Sequence, residues 1–337
     1  MHTKKLSAEQ ATTQSLELGG FIASGTDAMR FDDVEEQASA LVGWNQEYLQ
    51  LSPGAFQGHL FQVHGIGIRL FIERVQQSIF QTGVLSSDVL AVGIPLDASG
   101  VGMFCGQACA ADAFHVFSGA TGFEFRTSRE HTMLGVELHL SHGYLNMVAT
   151  DAHQGSHQAL GGKAGVLQMK LQSAAELKAY LLALLQSAGS DASLLFNTAV
   201  VATAADFLLD YMMQDYLNDV SQMPGGTYSH WGLVRQACAR VHDNLDQVPT
   251  VAQLCLDMGV SRRTIQYGFA RVLGISPLAY LKAVRLQQAR RALKEAHSVT
   301  EAATACGFWH FGHFSQDYQM MFGELPSATL RRHGSGH

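Results

Sequence analysis

The chain has 337 residues, 47% of them hydrophobic and 15% charged, enough apolar material for a sizeable core and enough length for two domains. Its net charge of -7 is unevenly placed: from Gly226 onward there are 12 Lys+Arg against 7 Asp+Glu, while the preceding part has 10 against 22, an acidic body followed by a basic module suited to a polyanion. Five scattered cysteines make no disulfide framework, and the polar opening Met1-His2-Thr3-Lys4-Lys5 and the lack of any run of roughly 18 apolar residues imply a cytoplasmic protein with no membrane partner.

Residues 1–25 are polar and aperiodic and read as a mobile arm ahead of a sensing and dimerisation domain at 26–220. From Phe31 to about Leu138 short β-prone runs alternate with glycine-rich turns: Val89 to Ile94, Phe114 to Phe117, Phe123 to Thr127 and Thr132 to Leu138. Such spacing predicts a β-sandwich or barrel. Cys105 and Cys109 stand four apart without a second Cys pair and read as packed thiols. His139 with His142 and His153 with His157 have spacings that suit a metal, but neither pair has a third ligand or a general-base motif beside it, so no metal, cofactor or catalytic residue is assigned. Helical texture follows at about 174–186 and 192–218, with wide apolar faces that serve either a dimer or the covering of the barrel. Ser221-Gln222-Met223-Pro224-Gly225-Gly226 then marks a linker, placed at 221–228, before a helical domain at 229–337.

That last domain contains a repeat. Ile265, Phe269, Gly274 and Pro277 recur 49 residues later as Phe314, Tyr318, Gly323 and Pro326, while upstream Leu254, Cys255, Gly259 and Val260 recur at a shift of 48 as Ala302, Ala303, Gly307 and Phe308. The extra residue falls in a turn. Thr250-Val251-Ala252-Gln253 and Ser298-Val299-Thr300-Glu301 each predict a capping box that opens a short helix, and Gly259 and Gly307 predict its end. Each unit is therefore a helix-turn-helix. In the first, Ser261 caps the following helix, Ile265, Phe269 and Val272 form its core stripe, and Arg262, Arg263, Gln266 and Tyr267 occupy its groove-facing turns. Guanidinium and amide groups suit phosphates, guanine edges and adenine edges. Between the units Ser276-Pro277 starts a helix expected to run to about Ala296, with Lys282, Arg285, Arg290, Arg291 and Lys294 on its exposed face. About 20 residues of helix span about 30 Å, close to the roughly 34 Å between successive major grooves.

Val260-Ser261-Arg262-Arg263-Thr264, Gly274-Ile275-Ser276-Pro277, Tyr280-Leu281, Arg285 through Arg290, and Gly307-Phe308 with Phe314 resemble the AraC/XylS family of bacterial transcription regulators. The resemblance implies an α+β protein: an N-terminal cupin-like β-barrel or sandwich with helices, and a C-terminal all-α domain of seven helices with two helix-turn-helix units. A narrower likeness, through Gly307-Phe308-Trp309-His310, Asp317-Tyr318-Gln319 and Phe31 to Glu36, is to regulators of ethanolamine-utilisation operons. The second unit departs from the family pattern, with Trp309, His310 and Phe311 after the Gly-Phe pair and Gln316 where a basic residue is usual. The candidate DNA-contacting residues are Arg262, Arg263, Gln266, Tyr267, Arg290, Arg291, His310, His313 and Gln316. The partners implied are double-stranded promoter DNA, a second copy of the chain and RNA polymerase, with the effector unassigned. Two alternatives stay open: an interaction protein tethered to DNA, and a cupin-type metalloenzyme fused to a DNA-binding module.

Overall fold

A computed structural model describes residues 28–97, 100–109, 113–118, 122–142, 164–219 and 227–333. The expected arm, the His153/His157 pair and most of the expected linker lie outside them. Strand side chains point alternately to opposite faces, and in the middle of this domain both faces are buried. In β4 (Ile68–Val75) and β11 (His131–His139), Leu70, Ile72, Leu134, Val136 and Leu138 enter one apolar cluster while Phe71 and Met133 enter another.

These two strands pair with each other in an antiparallel sheet that also holds β1 (Met29–Phe31), β3 (Gly58–His64), β6 (Val89–Asp97), β9 (Ala113–Ser118) and β12 (Gly165–Gln168). Its order is β1-β3-β4-β11-β6-β9-β12. A second antiparallel sheet is made of β2 (Gln46–Gln50), β5 (Ile79–Gly83), β7 (Gly102–Phe104), β8 (Gln107–Cys109) and β10 (Phe123–Arg126), in the order β2-β5-β10-β7-β8. Phe71, Phe117 and Met133 from the larger sheet meet Phe104, Phe123 and Phe125 from the smaller, so the two pack face to face, the sandwich form of the expected sandwich or barrel.

Among the described residues, the protein's own rings pack between the sheets. Trp44 lies edge-on to Phe117 and Phe123 at 4.7 and 5.6 Å, and Phe104 lies edge-on to Phe117 at 4.9 Å. Two buried polar groups are answered internally. Glu137 accepts from Trp44 Nε1 at 2.8 Å and from Arg69 Nε at 3.0 Å, and Glu73 accepts from Tyr48 Oη at 2.7 Å and Gln37 Nε2 at 2.9 Å. Burial also pushes the Cys105 and Cys109 thiols up to about 11 and about 12, so both stay protonated as packing groups.

The helices α2 (Leu171–Ser190) and α3 (Thr198–Asp219) cover the other face of the larger sheet, burying Leu177, Leu181, Leu185 and Leu208 in the same cluster as Leu134 and Val136. Covering the sheet is thus one role that these apolar faces perform. No helix among the described residues is long and apolar enough to cross a membrane.

The C-terminal domain comprises α4 (Thr227–His242), α5 (Val251–Met258), α6 (Arg262–Val272), α7 (Pro277–Leu293), α8 (Val299–Ala305), α9 (Phe311–Phe322) and α10 (Pro326–His333). It docks on the β-domain through charge and through backbone. The short helix α1 (Val34–Ala40) carries Asp33 as its N-cap and Glu35 in its first turn. Asp33 accepts from Arg290 Nε and lies by Lys294 Nζ, both at 3.0 Å, and Glu35 pairs with Arg291 and accepts from Gln287 Nε2 at 2.7 Å. Burial alone would raise the Asp33 carboxyl, but Arg290 and Lys294 beside it outweigh that and hold it below the usual carboxylate range.

Candidate nucleic-acid interface

The first helix-turn-helix forms for the reasons its residues supply. Thr250 and Gln253 complete a reciprocal capping box on α5, and Gly259, at φ 63°, ends it in the left-handed conformation. Ser261 Oγ accepts the Thr264 amide at 3.1 Å and caps α6. Ile265 and Phe269 are fully buried and Val272 nearly so, against Val234, Ala237 and Val241 of α4. This fixes the opposite face toward solvent. Arg262, Arg263 and Gln266 are exposed there with no partner among the described residues, and Tyr267 is half-exposed with its ring 5.1 Å from that of His230.

The second unit is built on the same plan with different chemistry. Ser298 caps α8 by accepting the Glu301 amide at 3.1 Å, but Glu301 reaches past the cap to the His297 amide, so the expected reciprocal box is only half formed. Phe314, Tyr318 and Phe322 of α9 are buried against Leu286, Leu293, Ala302 and Ala303. Its outer first turn presents Trp309, His310, Phe311, His313 and Gln316, all exposed, with the two histidine rings 6.3 Å apart. Trp309 is 73% exposed. An exposed indole beside a recognition helix is the group that sequence reading passed over, although its departure from the family pattern was the available signal.

The linking helix corrects two assignments. Arg290, expected on a DNA-facing surface, is only 4% exposed: it pairs with Asp33 and with Glu324, both at 3.0 Å, and its guanidinium lies 4.8 Å from the centre of the Phe322 ring. Arg291 is drawn to Glu35. The face they share with Lys294 meets the acidic start of α1, which takes Arg290 out of reach of a phosphate and pairs Arg291, whose side chain stays 37% exposed. Lys282 likewise binds Asp317 at 2.6 Å, and Arg285 donates to the Val248 carbonyl at 3.2 Å. The helix ends at Leu293, three residues before the expected Ala296.

Residues of the β-domain also hold the far ends of both recognition helices. Arg126 Nε donates to the Val272 carbonyl, the last of α6, at 3.0 Å. The Gly54 amide donates to the Met320 carbonyl at 3.0 Å and Gln50 Nε2 to the Met321 carbonyl at 2.7 Å, at the end of α9. Donors at helix C-termini satisfy carbonyls that have no partner within the helix. The N-terminal turns, with Arg262 and His310, are left facing outward.

Residues 254–332 match the helix-turn-helix domain family. A stretch of 104 residues is 41% identical to the probable thc operon regulatory protein of Rhodococcus erythropolis, covering 30% of this chain and 31% of that protein. Another of 96 residues is 36% identical to XylDLEGF operon transcriptional activator 3 of Pseudomonas putida, covering 27% of this chain and 29% of that one. Among solved structures, a probable AraC family transcriptional regulator from Rhodopseudomonas palustris is 42% identical, with a TM-score of 0.29 over 30% of this chain and 96% of that chain. The C-terminal domain is therefore a DNA-binding domain of the helix-turn-helix class. Within that class it is of the AraC/XylS type found in transcriptional regulators. The chain spans about a third of the length of the curated relatives it matches.

Proposed function

We propose that the whole chain is a sequence-specific transcriptional regulator that reads promoter DNA with two recognition helices and is controlled through its β-domain. One observation carries this: Arg262, Arg263 and Gln266 stand exposed at the start of α6 with no partner among the described residues, while Lys282, Arg285, Arg290 and Arg291 of α7 each hold a partner within the chain. Base readout is assigned to Arg262, Gln266 and, in the second unit, to His310, His313 and Gln316, with Arg263 and Tyr267 positioning the backbone. Trp309 and Phe311 add apolar contact suited to thymine methyl groups. The regulator acts in the cytoplasm as a homodimer and engages RNA polymerase at the promoter. The likeness to regulators of ethanolamine-utilisation operons nominates such promoters for the first trials.

The test is selection of binding sequences from a random DNA pool by the full chain, followed by anisotropy titrations of the winners. A shared motif lost on Arg262→Ala supports the reading; a pool without enrichment at low salt overturns it. A second reading, control by a protein partner, draws on the aromatic rings packed between the sheets among the described residues, which occupy space that an effector inside the sandwich would use. Co-purification of a partner whose removal changes promoter affinity would favour it.

A further inference from the structure

A cavity of about 480 Å³ lies between the β-domain and the C-terminal domain, within the range of small-molecule sites. Its apolar walls come from both sides: Leu49 and Phe80 from the β-domain, Val241, Tyr280 and Val284 from the helices. The Phe80 and Tyr280 rings approach edge to face at 6.5 Å across the boundary. Neither domain alone supplies a closed wall.

The charged groups around it are unequally engaged. Arg235 pairs with Glu124 at 3.2 Å and its guanidinium lies 5.3 Å from the centre of the Trp231 ring, while Arg291 is drawn to Glu35, which is not part of the lining. Glu47 has His242 at 3.6 Å, and both are about half exposed. The Asp243 side chain has no partner among the described residues. The cations are thus occupied, and carboxylates are what the cavity offers to an incoming charge. A carboxylate ligand would meet Glu47 and Asp243 across a half-apolar space, where like charges repel more strongly than in water.

We infer that this cavity binds a small organic cation, an amine on an apolar or aromatic body, and that its occupancy is communicated to the DNA-binding domain. The inference deepens the regulator reading and rests on it for the second half. Gln287 and Arg291 line the cavity and are also the groups that hold Glu35, so an occupant touches the side chains on which the docking of the two domains depends. A ligand whose site needs both walls binds the docked arrangement better and shifts the population toward it.

Phenethylamine is the probe, with 3-phenylpropanoate and 2-phenylethanol as anionic and neutral matches in shape, each titrated calorimetrically into the full chain. The amine is expected to bind and the acid is not. Glu47→Gln, at a half-exposed position, should weaken the amine about tenfold by removing a charge-assisted contact. Ala239→Trp, at an exposed residue on the rim, should abolish binding by filling the mouth, with circular dichroism confirming the fold. Equal binding of the acid or the alcohol, indifference of the amine to both substitutions, or no binding of any probe at millimolar concentration overturns the site. Titration of a selected DNA with and without phenethylamine then tests the coupling. A change of several-fold in DNA affinity supports it, and an unchanged affinity with the amine bound overturns it. A chain that binds no DNA under any condition defeats the regulator reading while leaving the calorimetric result intact.

Discussion

Arg262 and Arg290 carry the same group and sit on one domain, yet their surroundings give them opposite work. Arg262 is exposed with no partner among the described residues, so Arg262→Ala and Gln266→Ala should each cost about 1–3 kcal/mol of specific binding and relax the preference at one base pair, read by anisotropy on single-base variants of the site. Arg290 is buried against Asp33, so Arg290→Ala should leave the salt dependence of DNA binding unchanged and instead lower stability by up to about 3–5 kcal/mol, because the buried carboxylate keeps only Lys294 as a counter-charge. The same pair sets a pH dependence. With its folded pKa held below its ordinary value near 4, Asp33 stabilises the fold fully above that value, and the contribution disappears as the pH falls through the folded value. Melting followed from pH 7 to pH 3 should show this acid-side loss in the native chain and a smaller one in Asp33→Asn, where asparagine keeps the helix cap.

At the scale of elements, two glycines separate backbone strain from steric fit. Gly307 and Gly323 both have left-handed φ, 76° and 74°, but a Cβ on Gly307 would meet nothing within 4 Å, whereas one on Gly323 would lie 2.7 Å from Ala55 Cβ and 2.9 Å from its amide nitrogen. Gly307→Ala should cost about 1–2 kcal/mol for conformation alone, and Gly323→Ala more, with part of the excess recovered by Ala55→Gly in a double-mutant cycle from urea unfolding. The helices of the two repeated units and four of the twelve strands among the described residues were legible in the chain. The caps at Thr250, Ser261, Ser276 and Ser298 act locally, within three residues, and apolar runs such as Thr132 to Leu138 announce strands buried on both faces. What could not be read was distance in sequence: Asp33 and Arg290 are 257 positions apart, and no local pattern says that an acidic helix start will take up the basic face of α7. Charge counting therefore overstated the basic surface offered to DNA, and it missed Trp309 because exposure of an apolar ring is a property of the finished fold.

On the scale of the whole molecule, the β-domain supplies Leu51 and Phe80 to the core around α6 and donors to the ends of both recognition helices. A fragment of residues 226–337 should therefore melt at a lower temperature than the full chain and bind a selected site less tightly, since its helices lose those anchors; equal affinity would assign the contacts no role in recognition. Arg126 at the end of α6 and Gln50 with Gly54 at the end of α9 make a rigid caliper of two points whose gap is set by a sheet rather than by a flexible joint. Such a caliper measures DNA in helical phase. Inserting one base pair between the two half-sites turns the second by roughly 34°, given about 10.5 base pairs per turn, and inserting five puts it on the far side of the duplex. Affinity should fall steeply with one added pair and nearly vanish with five, and Arg126→Ala should blunt that periodicity by letting the first jaw swing.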